Sequence, residues 1–336
     1  MSENASVMTP ENQKTLETLE AAASESGGAF KYWAFRILGE VIPRTPLWLA
    51  RAVFSAGGWL AWAFAAGLRR RAEWNLSHIP ALAADPELRR RTARAAFINL
   101  ALNYLDFFRG RRVTDEELAQ GWNITGWDII ERAVAQGKGV IALAAHYGPF
   151  EYAAWKMGQL GRPMLTPAER LRPERLHQLV ASMRNHHSAR MIAGDERETL
   201  RELLAALRRG EIAIFAVDRW VMGPATPWPF FGQEARLPVA PFALAARSEA
   251  PVVLVAPRRE GRNRMSGIAE LLTPERLAGE PAAETANEPA PRLSRDEAVA
   301  RMRARVYPAL ERLIAREPGQ WVSVLATIWD EPDDTR

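Results

Sequence analysis

A chain of 336 residues and 37.5 kDa, with 48% hydrophobic and 25% charged residues, has the balance of a globular protein with a large buried core, which excludes a disordered or fibrous chain. Cysteine is absent, so disulfides, thiolate metal sites and cysteine nucleophiles are excluded together. The formal charge of +4 combines an acidic first segment, residues 1–28 with five Glu against Lys14, and a basic remainder whose lysines are Lys31, Lys138 and Lys156 and whose other cations are all arginine. That bias suits an anionic lipid or phosphate more than nucleic acid, because the aromatics are not interleaved with basic runs.

Residues 1–28 are polar, rich in Ser, Glu and Ala, and end in Gly27-Gly28. They read as a tail and lack the basic and apolar regions of a secretory signal. Residues 29–71 form the next unit. Within it Leu47 to Leu68 is strongly apolar, with Arg51 its only charge and Ala52 to Leu68 uncharged. That length is marginal for spanning a bilayer. Trp48, Trp59 and Trp62, with Arg69-Arg70-Arg71 directly after, fit a helix lying in a membrane surface on its cytoplasmic side. The competing expectation is a buried pair of helices broken at Gly57-Gly58. Residues 72–124 read as a helical subdomain, rich in Arg, Leu and Ala.

From 125 to 330 the texture becomes alternating strand and helix. Short apolar runs predict strands at Val140–Ala145, Met164–Thr166, Arg190–Ala193, Ile212–Val217, Val252–Ala256 and Val322–Leu325. Asp195 followed by Glu198 predicts a helix start, and that helix runs to Arg209-Gly210. The Ala- and Pro-rich stretch 278–295 predicts a loop. The whole predicts an α/β core with a mixed, largely parallel sheet flanked by helices, preceded by a membrane-associated helical segment.

The residues able to do chemistry begin at Ala145-His146-Tyr147-Gly148-Pro149-Phe150-Glu151. His146 falls just past a strand end, where open α/β sheets bind ligands. Pro149 suits a first helical turn, which Glu151 would then share. A carboxylate that takes the proton of one imidazole nitrogen frees the other to act as a general base. The spacing is also compatible with a hydrogen-bonded His and a helix-capping Glu. Asp218-Arg219 end a second buried run and form a candidate second wall of the crevice. The apolar segment Pro227 to Gly232, with Phe231 and Gly232 at its end, is a candidate acyl-chain channel. Arg170 or Arg172, after a third strand, could meet a phosphate or an oxyanion, and the run is equally compatible with a solvated, charge-paired turn. His78, His177 and His186-His187 have no partner in the sequence, and no metal-ligand spacing occurs.

In their order and spacing these pieces resemble the bacterial lipid A biosynthesis acyltransferase family, including phosphatidylinositol mannoside acyltransferases. The matching residues are Asn75-Leu76, Tyr104 with Asp106 and Arg109, Gly137-Lys138-Gly139, His146 to Glu151, Glu169-Arg170 with Pro173, Leu207 to Gly210, Asp218, Phe230-Phe231-Gly232, Gln320-Trp321 and Trp329. The resemblance implies a glycerolipid-acyltransferase-like fold at the cytoplasmic membrane. His146 and Glu151 would form an H-x₄-E catalytic pair, and Arg170 would stand near the reacting carbonyl. It also implies transfer of a fatty acyl chain from an acyl carrier protein or acyl-CoA thioester to a glycolipid hydroxyl, with no cofactor or metal. Pro149 and Arg219-Trp220 depart from the lipid A pattern, and the Asp218-Arg219 pair stands closer to the mannoside enzymes. Two other classes compete, a membrane-bound esterase or thioesterase using water and a non-catalytic membrane-binding scaffold. No G-x-S-x-G elbow supports a serine hydrolase.

Overall fold

The computed structural model describes residues 28–185, 189–221, 223–248, 250–261, 264–272 and 294–329. The predicted tail up to residue 27, His186-His187 and most of the 278–295 loop lie outside them. Helix α1 (28–41) leads into α2 (Leu47–Phe64), α3 (Ala66–Leu76), α4 (Pro80–Ala83) and the long α5 (Pro86–Arg109). Asp85 caps α5, accepting a hydrogen bond from the Leu88 N–H at 2.9 Å, with Pro86 at its first position. After α6 (Asp115–Gln120) come β1 (Trp122–Thr125), α7 (Trp127–Ala135), β2 (Val140–Ala144), α8 (Phe150–Gly158), β3 (Met164–Pro167), α9 (Glu174–Asn185), β4 (Ala189–Ile192), α10 (Glu196–Arg208) and β5 (Ile212–Ala216). A hairpin of β6 (Ala225–Phe230) and β7 (Gln233–Pro238), then α11 (Ala240–Ser248), β8 (Val252–Glu260), β9 (Arg264–Leu271) and α12 (Arg295–Arg316) follow.

The main sheet has seven strands in the order β1-β9-β8-β2-β5-β3-β4, parallel except for the β8–β9 pair. Its central strands are buried on both faces, which is why they read as continuous apolar runs. Ile141, Leu143, Ala213 and Phe215 share one core with α10, α11 and α12. The alternating Val140, Ala142 and Ile212 share the other with α7 and α8. From β2 the chain leaves through α8 on that second face, whereas the connection through α10 back to β5 runs on the first. Helices leave neighbouring strands to opposite faces at the β2–β5 boundary, so a crevice opens there beyond the strand ends.

Five of the six predicted strands are present, and the helix capped by Asp195 is α10, with the Glu198 N–H donating to the Asp195 carboxylate at 2.9 Å. Val322–Leu325 is instead a 3-10 turn; Val322 and Val324 bury there without joining the sheet. No break occurs at Gly57-Gly58. Helix α2 runs through both glycines and ends at Ala65, where it meets α3 at 91°. Gly58 is buried because a Cβ there would stand 2.7 Å from the Ile98 Cα of α5, so the glycine lets the two helices lie close. Among the described residues no single helix is long and apolar enough to cross a membrane; the bent α2–α3 pair passes only jointly. Among the described residues, eleven of the fourteen large apolar side chains left exposed lie between Phe30 and Leu68. They are concentrated on α1, α2 and α3 rather than spread along the chain.

Candidate functional site

Ala144 at the end of β2 pairs with Ala216 at the end of β5. Continuing both strands by two residues in the same register brings His146 to Asp218. The imidazole Nδ1 lies 2.9 Å from Asp218 Oδ1, and the main-chain N–H of His146 donates to Oδ2 at 3.1 Å. The Trp321 indole N–H also donates to Oδ2, at 2.9 Å. Asp218 is fully buried. Burial pushes its carboxyl upward, but the charge and hydrogen bond of His146, helped by the Trp321 indole N–H, outweigh it and hold the carboxyl at about 2. An ionised carboxylate only accepts, so Nδ1 must carry a proton, and in the neutral imidazole that leaves the lone pair on Nε2. The His146 side chain is 25% exposed, and it lines the cavity described below.

The loop that carries His146 is fixed from several sides. Gly148 has φ +56°, and a Cβ there would lie 2.2 Å from the Pro257 carbonyl oxygen, so only glycine fits. Gly148 N–H donates to the Gln320 carbonyl and Val322 N–H to the His146 carbonyl, each at 2.9 Å. Glu151 lies in the first turn of α8, as the sequence predicts, whereas Pro149 stands one position earlier, as its N-cap residue.

Glu151 is not the imidazole partner expected from spacing. Its Oε1 accepts from Arg184 of α9, from Nε at 3.0 Å and Nη2 at 2.5 Å. The reason is geometric: the helical turn points Glu151 across to α9, while the register of β2 and β5 already puts a carboxylate on Nδ1. His146 and Glu151 nevertheless line the same cavity. Arg219 lines it too and has no carboxylate partner among the described residues. Arg170 does not; it is exposed and pairs with Glu174 one turn on at 3.0 Å, between Glu169 and Leu171, which do face the cavity. Phe231 and Gly232 do not line this cavity; Phe231 borders a separate, smaller one with His78 and Trp329. Phe231 and Gly232 are the two-residue turn of the β6–β7 hairpin, both at positive φ, with the Phe231 N–H held by Glu311 at 2.7 Å. The proline- and aromatic-rich segment before them is a strand, because the hairpin pairs it in full.

The cavity has a volume of about 1010 Å³ and runs over the carboxyl edge of the sheet onto both faces. Its walls are largely apolar: Tyr104, Phe107 and Val180 on one side, Leu200, Val239 and Leu244 on the other. Phe35 of α1 and the half-exposed Tyr104 lie at one end, so the cavity adjoins the exposed apolar side chains of α1 and α2. Among the described residues no group of His, Asp and Glu could hold a metal ion.

Two contributors escaped the sequence, Arg184 and Arg259, while Trp321 was singled out by the resemblance but given no role. The Arg259 guanidinium meets Asp106 of α5 and donates to Asn103 Oδ1 at 3.0 Å. Burial pushes the Asp106 carboxyl up, and Arg259 opposes it. The resemblance pointed to Asp106 but not to its partner, which lies 153 residues away in the chain. His78 stacks on Trp329 at 4.0 Å, and His177 accepts a long hydrogen bond from Leu171 N–H. Both are structural.

The family model described as bacterial lipid A biosynthesis acyltransferase matches residues 24–326. Among curated proteins, the chain is 29% identical over 141 residues to a phosphatidylinositol mannoside acyltransferase of Mycobacterium tuberculosis, covering 41% of this chain and 45% of that protein. It is 25% identical over 159 residues to the protein of the same name from Mycolicibacterium smegmatis, covering 47% and 52%. The chain thus spans about half the length of the curated relatives it matches.

Proposed function

From the premise that this chain belongs to the bacterial lipid A biosynthesis acyltransferase family, and so is an acyltransferase, we propose that it moves a fatty acyl chain from an acyl carrier protein or acyl-CoA thioester to a glycolipid hydroxyl at a membrane surface. The observation that carries this reading is a His146–Asp218 dyad on an apolar cavity of about 1010 Å³, at the upper end of ordinary ligand sites. His146 Nε2 takes the proton of the acceptor hydroxyl as its oxygen attacks the thioester carbonyl. Asp218 stabilises the imidazolium that forms. As the tetrahedral intermediate collapses, the carbon–sulfur bond breaks and the imidazolium returns the proton to the departing thiolate. Arg219 and the first main-chain N–H groups of α8 supply positive potential for the oxyanion. Glu151, its charge balanced by Arg184, would accept a hydrogen bond from an acceptor hydroxyl. Arg170 has no part in this scheme.

Membrane contact is read from α1 and α2. Phe30, Trp48 and Phe64 are 76%, 73% and 81% exposed, a face that suits the lipid–water interface. Helix α2 is held along α5 and turns sharply at Ala65, which favours lying in the interface over crossing the bilayer. Arg69 to Arg71 would meet anionic headgroups of the cytoplasmic leaflet. A glycolipid acceptor is carried over from the names of the mycobacterial relatives. The test is mass spectrometry of host membrane lipids after expression of the wild type or His146→Ala. A gain of one acyl chain on a glycolipid, present only with the wild type, is expected. A folded His146→Ala protein with full transfer would overturn the mechanism.

A further inference from the structure

We propose that Trp321 is a positioning residue of the acyl transfer, its indole N–H locking Asp218 in the rotamer that keeps Oδ1 on the imidazole of His146. The inference rests on His146 being the base. A carboxylate held through one oxygen can rotate about its Cβ–Cγ bond, because that torsion is broad. A donor on the second oxygen removes the freedom. The His146 main-chain N–H contributes at 3.1 Å, and the Trp321 indole is the shorter contact at 2.9 Å. Its direction is set by an aromatic cage: Trp321 is fully buried, with Phe230, Phe231 and Trp329 rings centred 5.9, 6.0 and 6.3 Å away.

The backbone around Trp321 is tied to the same loop as the base. Tyr147 and Trp321 form an antiparallel bridge, and the residues on either side of Trp321 bond to Gly148 and His146. The Gln320 carboxamide clasps the main chain of Arg259, accepting from its N–H at 2.8 Å and donating to its carbonyl at 3.1 Å. One short segment therefore fixes both the main chain of the base and the carboxylate that orients it. Packing alone does not demand this use of an indole. The N–H groups of buried Trp122 and Trp329 have no hydrogen-bond partner among the described residues, whereas that of Trp321 is spent on Asp218.

The other charged and titratable groups around the dyad and its cavity include Tyr147 beside the base, Tyr104 of α5, Glu151 of α8, Arg184 of α9, Glu169 after β3, Glu196 of α10, Arg219 after β5, and Arg295 and Tyr307 of α12. None of them changes when the indole is altered. Removing the N–H concentrates negative charge on Asp218, which then holds the imidazolium more strongly. The titration of His146 should move up, and the acid limb of the rate profile with it.

The test is made in the full chain with Trp321→Phe and with Trp321→benzothienylalanine, an isostere with sulfur in place of the indole N–H. Expected are a fall in kcat of about 10- to 100-fold with little change in KM and an upward shift of about 0.5–1 unit in the His146 titration. The titration is followed by NMR of carbon-labelled histidine in the substrate-free protein. An isostere with wild-type kcat, or a His146 titration that stays in place or moves down, overturns the inference; the isostere decides if Trp321→Phe does not fold. His146→Ala is the control. If it keeps activity, the base assignment fails, and the substrate-free titration alone decides whether Trp321 governs the pair.

Discussion

Replacing Asp218 by Asn turns one of two accepting oxygens into a donor while keeping the shape of the side chain. The carboxylate accepts three hydrogen bonds, from His146 Nδ1, the His146 main chain and the Trp321 indole. A carboxamide offers one accepting oxygen and one donating NH₂. With its oxygen toward the main chain and the indole, the NH₂ faces Nδ1, and the imidazole must take the tautomer with its proton on Nε2. The lone pair is then lost from the cavity side. With its oxygen toward Nδ1, the NH₂ opposes two N–H donors instead. Each hydrogen bond to a charged acceptor is worth about 1.5–3 kcal/mol, so the variant should lose about 2–4 kcal/mol of stability. Wrong-tautomer and lost-counter-charge effects together should lower kcat by about 10³- to 10⁴-fold. The assay is acyl transfer from a thioester donor to glycolipid in mixed micelles, with kcat and KM determined separately and thermal unfolding measured alongside. If Asp218→Asn is destabilised yet stays within tenfold of wild-type kcat, Asp218 is a structural carboxylate and the dyad reading is wrong.

The same pair sets an acid sensitivity. The Asp218 carboxyl titrates at about 2 when folded against an ordinary 3.8, so its contribution is fully present above about pH 4 and is lost as pH falls through 2. Denaturant unfolding should show the wild type losing about 2 kcal/mol more than Asp218→Asn over that interval. Gly148→Ala should cost about 1–3 kcal/mol from its positive φ, and more from contact with the Pro257 carbonyl; urea midpoints and kcat would both fall. Arg184→Met leaves the 10% exposed Glu151 carboxylate unpaired and should cost about 2 kcal/mol, with part recovered when Glu151→Met is added. Replacing Phe30, Trp48 and Phe64 by Ser should lower partitioning onto anionic vesicles by more than tenfold without lowering the melting temperature, measured by co-sedimentation.

What could be read from the chain in advance was what depends on local pattern. Short runs such as Val140 to Ala144 announce buried strands because both their faces are covered, and His146 could be placed at a strand end for that reason. Asp195 and Glu198 announce α10 because capping is a contact across three residues. Pairings across the sheet could not be read. Asp218 was visible as an acid closing a strand, but its place beside His146 depends on β2 and β5 being neighbours, and nothing local specifies that order. Glu151 drew attention for its spacing, yet its partner came from α9, 33 residues on. Val322–Leu325 carried the apolar signature of a strand but is a turn, its first N–H spent on the carbonyl of His146 rather than on a strand. Phe231-Gly232 carried the aromatic signature of a pocket wall, and hairpin pairing set it away from the cavity of His146.

The placement of the dyad follows from topology more than from any motif. Strands β2 and β5 are parallel neighbours, and Ala144 pairs with Ala216; residues two beyond that pair stand side by side outside the sheet. The chain then leaves β2 toward α8 and reaches β5 by way of α10 on the opposite face, so no connection crosses above the dyad. The open space that results is the cavity, and its two sides are given by helices already needed to cover the two faces of the sheet. Such a site needs only that the residues after two adjacent strands be His and Asp and that something hold them still. The holding element is the segment from Gln320 to Val322, brought back by α12 after the sheet is complete. That order of assembly puts the base on the first strand of the central pair, its counter-charge on the second, and the restraint last in the chain, which is why no short window of sequence contains the site.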